Sequence, residues 1–240
     1  MNPTLRTVSF VLALAVLTGR AAYAGAPPPE KPKPTVAILY MDYTGKNEDL
    51  VVLKKGLASM LISDLSTVPT VQIVERDRLQ DIMDELQLGT SAKIDPATAN
   101  KLGKLLGAKY MVLGGFFDLL GTLRVDARVV EVETGKVVKS VGAQGKEDAF
   151  IDIQQKLVHE LEIIFTSGDI EAPPLPQESR PRTAVARPKA VKTKTVARYG
   201  KALDFMDKGD KEKAKTELQA VVAEQPDFQL AANDLARLMQ

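Results

Sequence analysis

Proline is the residue that most restricts how this chain folds. Ten of its 14 prolines fall in two stretches, five in Gly25–Pro34 and five in Ser167–Lys194. Each proline fixes φ and lacks the N–H that a helix or a sheet ladder needs. Such stretches favour extended, solvated backbone and bury no core. They divide the sequence into a leader at 1–24, a tether at 25–34, a domain at 35–166, a linker at 167–194 and a smaller unit at 195–240. With 45% hydrophobic and 26% charged residues over a length of 240, the rest has ordinary globular composition.

The leader reads as an export signal. Arg6 supplies a short positive region, Val8–Leu17 is an apolar run interrupted only by Ser9, and Ala22-Tyr23-Ala24 is a small-x-small cleavage site. The rival reading, a membrane anchor, needs roughly 20 apolar residues, and Arg20 cuts this run short. Cleavage after Ala24 is expected, and it leaves 30 basic against 31 acidic side chains. No cysteine stands at the cleavage site to carry a lipid. The mature protein is therefore expected in the periplasm, at most peripheral at the outer membrane.

Composition removes several chemistries. With no cysteine, disulfides, thiolate zinc sites and cysteine nucleophiles are absent. A single histidine rules out a paired-histidine metal or catalytic site within one chain. A net charge of +1, 5% aromatics and no tryptophan give neither a pull toward nucleic acid nor a stacking platform. No serine stands in a nucleophile-elbow or Ser-x-x-Lys context. We expect no catalytic residue, no metal and no cofactor.

Between the proline-rich stretches, α and β patterns alternate. Thr35–Met41 is a β-rich apolar run, and Leu50, Leu53, Leu57, Met60, Leu61 and Leu65 recur at helical spacing until Pro69. Val71–Val74 reads as a short strand, followed by a helix from near Glu75. Asp95-Pro96 is an N-cap with a proline at N1, opening a helix that Gly107 closes. A strand from Tyr110 follows, then period-2 alternation over Leu123–Val129, a turn at Glu133–Lys136 with Gly135, a returning strand to Gln144 and a helical stripe from Phe150 to Ile164. The pattern predicts an α/β (α+β) domain, a mixed sheet packed with helices, followed by a small all-α helical-repeat unit.

Ordered local patterns carry a resemblance to a known family. Val36–Leu39 leads into Asp42-Tyr43-Thr44-Gly45; Val74-Glu75-Arg76-Asp77-Arg78-Leu79 continues into Ile82–Glu85; Gly107–Tyr110 precedes Val112–Gly115; and Val125–Val130 precedes Thr134–Val137. In this order they resemble the CsgG family of curli production assembly components, over about residues 35–166. The resemblance implies that family's periplasmic domain, protein partners at the envelope and ring-like oligomers. It does not extend to the pore: the lipid-carrying cysteine is absent, and Phe116–Leu123 joins two strands too directly to hold membrane-spanning hairpins. At the other end, Ala202, Phe205, Gly209, Ala214, Leu218 and Pro226 resemble one tetratricopeptide repeat. About three repeats are normally needed for stability, so the tail is expected to dock on the first domain, on another copy or on a partner.

Candidate sites follow. Glu75, Arg76, Asp77 and Arg78 cluster at a strand-to-helix junction and read either as helix capping with surface ion pairs or as a partner contact. Phe205 and Leu218 are the tail's candidate partner-binding residues. Asp42–Gly45 follows the first strand, where open sheets bind ligands, yet lacks a phosphate-cradling glycine pattern. Gly114-Gly115 marks a bulge, close helix packing or a ligand approach, and His159 a helix surface. Arg180, Arg182, Arg187, Lys189, Lys192 and Lys194, continued by Arg198 and Lys201, form a basic run that is either a solvated linker or attracted to an anionic lipid or cell-wall surface. The expectation is a non-catalytic accessory or scaffold protein of an outer-membrane assembly or secretion system. The alternative is a regulator that binds a cell-wall synthase.

Overall fold

The computed structural model describes residues 32–88, 94–167 and 191–240. The leader, most of the tether and most of the basic linker lie outside these residues. The described chain begins with β1 (Thr35–Ile38), β2 (Asp42–Tyr43), α1 (Glu48–Val51), α2 (Leu53–Leu65), β3 (Gln72–Ile73), α3 (Arg76–Glu85) and α4 (Pro96–Leu105). The hairpin strands β4 (Tyr110–Leu119), β5 (Thr122–Glu131) and β6 (Val137–Lys146) precede α5 (Phe150–Thr166). The tail is α6 (Thr193–Asp207), α7 (Lys211–Glu224) and α8 (Gln229–Leu238).

The sheet is six-stranded and mixed, in the order β3-β1-β4-β5-β6, with β2 paired separately to β4. β1 is parallel to both neighbours; β4, β5 and β6 are antiparallel. The expected α/β class and order of elements hold. Two details differ: β1 stops at Ile38, and the loop after it holds the short β2, which pairs Asp42 with Gly115.

Alternation decides which face of the hairpins is covered. Leu123, Val125, Ala127 and Val129 of β5 face the main core with α2 and α5 residues such as Leu57, Leu61, Leu157 and Leu161. A second core, built from Leu39, Leu79, Ile82, Met83, Leu102 and Met111, lies under α3 and α4. Local chemistry supports these elements. The Asp95 carboxylate accepts from the Ala97 and Thr98 amides at the start of α4, and Gly135 takes φ +68° in the β5–β6 turn.

From Pro32 onward the chain forms one compact unit, tail included. Val196, Tyr199, Ala202, Leu203, Leu218, Val221 and Phe228 share the main core with α2 and the sheet. Among the expected docking surfaces, the one occupied is the first domain's own.

Candidate functional site

The tail docks through α2. Nearly every side chain of this helix is buried, because the sheet lies on one side and α6 on the other. Backbones meet where Gly56 crosses Gly200: a Cβ at Gly200 would run into the Val52 carbonyl oxygen, and one at Gly56 would sit 3.1 Å from Val196. Glycine inside a helix costs roughly 0.5–1 kcal/mol relative to alanine, so both positions spend helix stability on close approach.

A charged network seals the edge of this contact. Lys55, only 5% exposed, extends its Nζ to Asp204 at 2.9 Å and Asp207 at 2.7 Å on α6. Arg76 at the start of α3 joins the same Asp207 carboxylate at 2.8 Å and Asp77 at 2.8 Å. Arg237 of α8 bridges Asp77 and Asp234, both at 2.7 Å, and the Tyr199 hydroxyl donates to Asp234 at 2.8 Å. Burial opposes the charge on Arg76, but Asp207 and Tyr40 outweigh it and hold the guanidinium protonated well above its ordinary range. Burial likewise works against the Asp204 carboxylate, and bonds from Lys208 and Lys55 overcome it, leaving its pKa below the ordinary value. Half of the charged cluster is therefore engaged within the molecule: Arg76 and Asp77 hold the tail. Glu75 stands at the N-cap position of α3 without making a capping bond, and both Glu75 and Arg78 face solvent.

A second feature lies on the sheet face opposite α5. A cleft of about 540 Å³ opens between α3 and the β4–β5–β6 strands, lined among others by Leu39, Tyr40, Met83, Ile94, Leu113 and Arg128. It brings together two of the sequence candidates, Asp42 and Gly114-Gly115. Backbone crowding explains both glycines: a Cβ on Gly114 would strike the Asp126 carbonyl, and one on Gly115 would lie 2.8 Å from that of Asp42. Tyr43 donates to Asp118 and stacks on Phe116, with centroids 5.0 Å apart, which ties the loop after β1 to the hairpin.

The remaining candidates are placed as follows. Arg180, Arg182, Arg187 and Lys189 lie outside the described residues. Lys192 is exposed at the N-cap of α6. Lys194 reaches Glu224 at 3.3 Å, while Arg198 and Lys201 reach Glu217 at 3.4 and 2.8 Å, so this part of the basic run faces acids of α7. Phe205 is half-buried beneath the Nζ atoms of Lys201 and Lys213, at 5.7 and 5.6 Å from its ring. Leu218 is fully buried in the main core. His159 is exposed. Among the described residues, no group of three His, Asp or Glu side chains is placed to hold a metal ion, and no helix is long and apolar enough to cross a membrane.

Residues 31–119 match the family model described as "Curli production assembly/transport component CsgG". The match covers 89 of the 240 residues. The match ends at Leu119, so the β5–β6 motifs lie beyond it. A curated relative, "Putative adenylate cyclase 3" of Rhizobium meliloti, is 24% identical over 153 residues, or 62% of this chain. The match takes in only 24% of that relative, so the chain spans about a quarter of its length. Among solved structures, the LpoB C-terminal domain from Salmonella enterica is similar at 12% identity and TM-score 0.41, over 49% of this chain and 87% of that one. A lipoprotein from Neisseria meningitidis matches at 13% and 0.42, over 53% and 94%. The PelC dodecamer from Paraburkholderia phytofirmans matches at 13% and 0.37, over 54% and 84%.

Sequence reading misses Gly56, Gly200 and Lys55 as docking residues. A signal is present, since glycine interrupts two helical stripes and Lys54-Lys55 falls inside an apolar one. What each meets depends on a chain segment more than a hundred residues away and is not written locally.

Proposed function

We propose that this protein is a non-catalytic, CsgG-like accessory or scaffold component of an outer-membrane assembly or secretion system, exported to the periplasm and lacking the pore's membrane-spanning hairpins. The observation that carries the reading is the union of a segment matching the CsgG family model with a helical tail that folds back onto it. The hairpin geometry supports the missing pore. Leu119 pairs with Thr122 across a two-residue turn, and Leu123 and Val125 of that hairpin are buried in the domain's own core. A non-catalytic role is supported by the use of the charged side chains: the acids around Lys55 and Arg76 hold the tail in place. The tail's repeat-like helices then act as part of one rigid scaffold, presenting the outer faces of α7 and α8.

The alternative is a periplasmic regulator of a cell-wall synthase. One experiment separates the two. A photocrosslinking residue is placed at exposed Arg78 or Gln219, and the captured partner is identified in intact cells by mass spectrometry. Outer-membrane assembly components uphold the scaffold reading, whereas capture of a cell-wall synthase alone replaces it with the alternative.

A further inference from the structure

The uncovered face of β4–β5–β6 carries more than a solvated sheet surface needs. Register groups its residues into rows running out from the cleft: Leu113 beside Arg128 and Ser140, Gly115 beside Asp126 and Gly142, Phe117 beside Arg124 and Gln144, and Leu119 beside Thr122 and Lys146. Two large apolar side chains on this face are open to solvent, Phe117 at 36% and Leu119 at 62%. At the tip, Leu120 is 97% exposed. An apolar strip thus continues from the cleft wall of Leu39, Met83, Ile94 and Leu113 to the end of the hairpin.

The charges on this face are unbalanced. In the cleft the Asp42 carboxylate is matched by Lys54 at 3.4 Å, and on the three strands three cations, Arg124, Arg128 and Lys146, stand against one carboxylate, Asp126. That carboxylate is already engaged, taking Arg124 Nε at 2.9 Å and Nη2 at 2.8 Å. Gly142 leaves room for it, since a Cβ there would lie 2.5 Å from Asp126 Oδ1. Arg128 and Lys146 form no ion pair among the described residues. Arg128 stands at the mouth of the cleft, where partial enclosure strengthens its attraction for an anion.

We propose that this face docks an acidic protein segment with large apolar side chains, one seated in the cleft and another over Phe117 and Leu119, with carboxylates on Arg128 and Lys146. Aromatic and arginine anchors within an apolar patch are the usual carriers of interface energy, and the surplus positive charge selects the sign of the partner. A protein fits better than a lipid surface. The face is concave at the cleft, its floor is lowered by Gly115 and Gly142, and a carboxylate stands at its middle. A bilayer cannot follow that relief. The proposal supplies the partner chemistry that the scaffold reading lacks, and it rests on that reading for its biological setting only.

The test uses the purified mature chain, isotopically labelled, with a synthetic peptide alternating glutamate with leucine and phenylalanine. The controls replace every glutamate by lysine, or every apolar residue by serine. Saturable amide shifts at Gly115, Phe117, Arg128 and Gly142 with the glutamate peptide alone are expected. Arg128→Glu and Phe117→Ser should each weaken binding at least tenfold, a difference of about 1.4 kcal/mol, while leaving the remaining spectrum in place. Absence of saturable shifts, equal binding of the lysine peptide, shifts confined to other faces, or unchanged affinity of Arg128→Glu would overturn the proposal. So would sedimentation with phosphatidylglycerol–phosphatidylcholine vesicles that depends on Phe117 while the peptide does not bind, which reassigns the face to lipid. Because the readout is on the isolated chain, its failure is distinct from capture of the wrong partner class in cells.

Discussion

Leu120 sits at φ +51°, followed by Gly121 at +76°, so both central residues of the β4–β5 turn are left-handed. That is the geometry of the tight hairpin turn that favours Asn-Gly. A leucine there is strained by roughly 1–2 kcal/mol, and with its side chain 97% exposed it gains nothing from packing in return. Leu120→Asn is therefore expected to raise stability by about 1 kcal/mol, visible as a later urea midpoint with an unchanged slope. A drop in stability would mean that the leucine packs on something in the free protein. Asp207 is the opposite case. Its carboxylate serves Lys55 and Arg76, both largely buried, and Asp207→Ala leaves each with one fewer counter-charge. Removing one member of a buried ion pair costs about 3–5 kcal/mol. Lys55→Met should cost clearly less, because Asp204 retains Lys208 and Asp207 retains Arg76. Equal losses in the two variants, measured by urea unfolding, would argue that packing rather than charge holds the edge of the dock.

At the scale of elements, the crossing of α2 and α6 depends on Gly200. Gly200→Ala would normally favour a helix by roughly 0.5–1 kcal/mol. Here the methyl group meets the Val52 carbonyl oxygen, so α6 must lift and the change is expected to destabilise by about 1–3 kcal/mol, the range for overpacking. Hydrogen exchange should quicken first in α6 and α2. Protection equal to the parent in both helices would mean that the backbones are free to separate without loss. The same crossing shows how far the sequence is legible. The stripe of α2, the Asp95 cap of α4 and the Gly135 turn are local patterns with local causes, and each stands where the residues place it. The two-residue β2 and the burial of two consecutive lysines have distant causes: Asp42 must find Gly115 on β4, and Lys55 must find Asp204 on α6. For the cleft, Asp42 and Gly114-Gly115 stand out in the sequence, while Arg128 and Phe117 do not, since an alternating strand looks the same whether or not its polar face is covered.

At the scale of the whole molecule, the tail and the α/β domain share one core, which predicts a single cooperative unit at neutral pH. Releasing α6 uncovers the face of α2 that carries Gly56 and Ser59, and the domain then loses the Val196, Tyr199 and Leu203 side chains from its own interior. A fluorophore on α7 and the circular dichroism of the whole chain should report coincident urea transitions. Acid should break this coincidence. Asp204, with an ordinary value of 3.8, is held lower in the folded protein, and so is Glu224, where burial opposes its charge but Lys194 and Arg198 prevail. A depressed carboxylate binds fewer protons folded than unfolded. Its stabilising effect is therefore complete above its ordinary value and is lost as pH falls through the folded one. Both groups lie on the tail's contacts, Asp204 facing Lys55 and Glu224 tying α7 to α6. Lowering the pH from 6 to below about 4 should accordingly advance the tail's transition ahead of the rest, and the α7 probe should move first. If both probes shift together through that window, the carboxylates act on global stability alone. If they are already separate at neutral pH, the shared core does not couple the tail to the sheet.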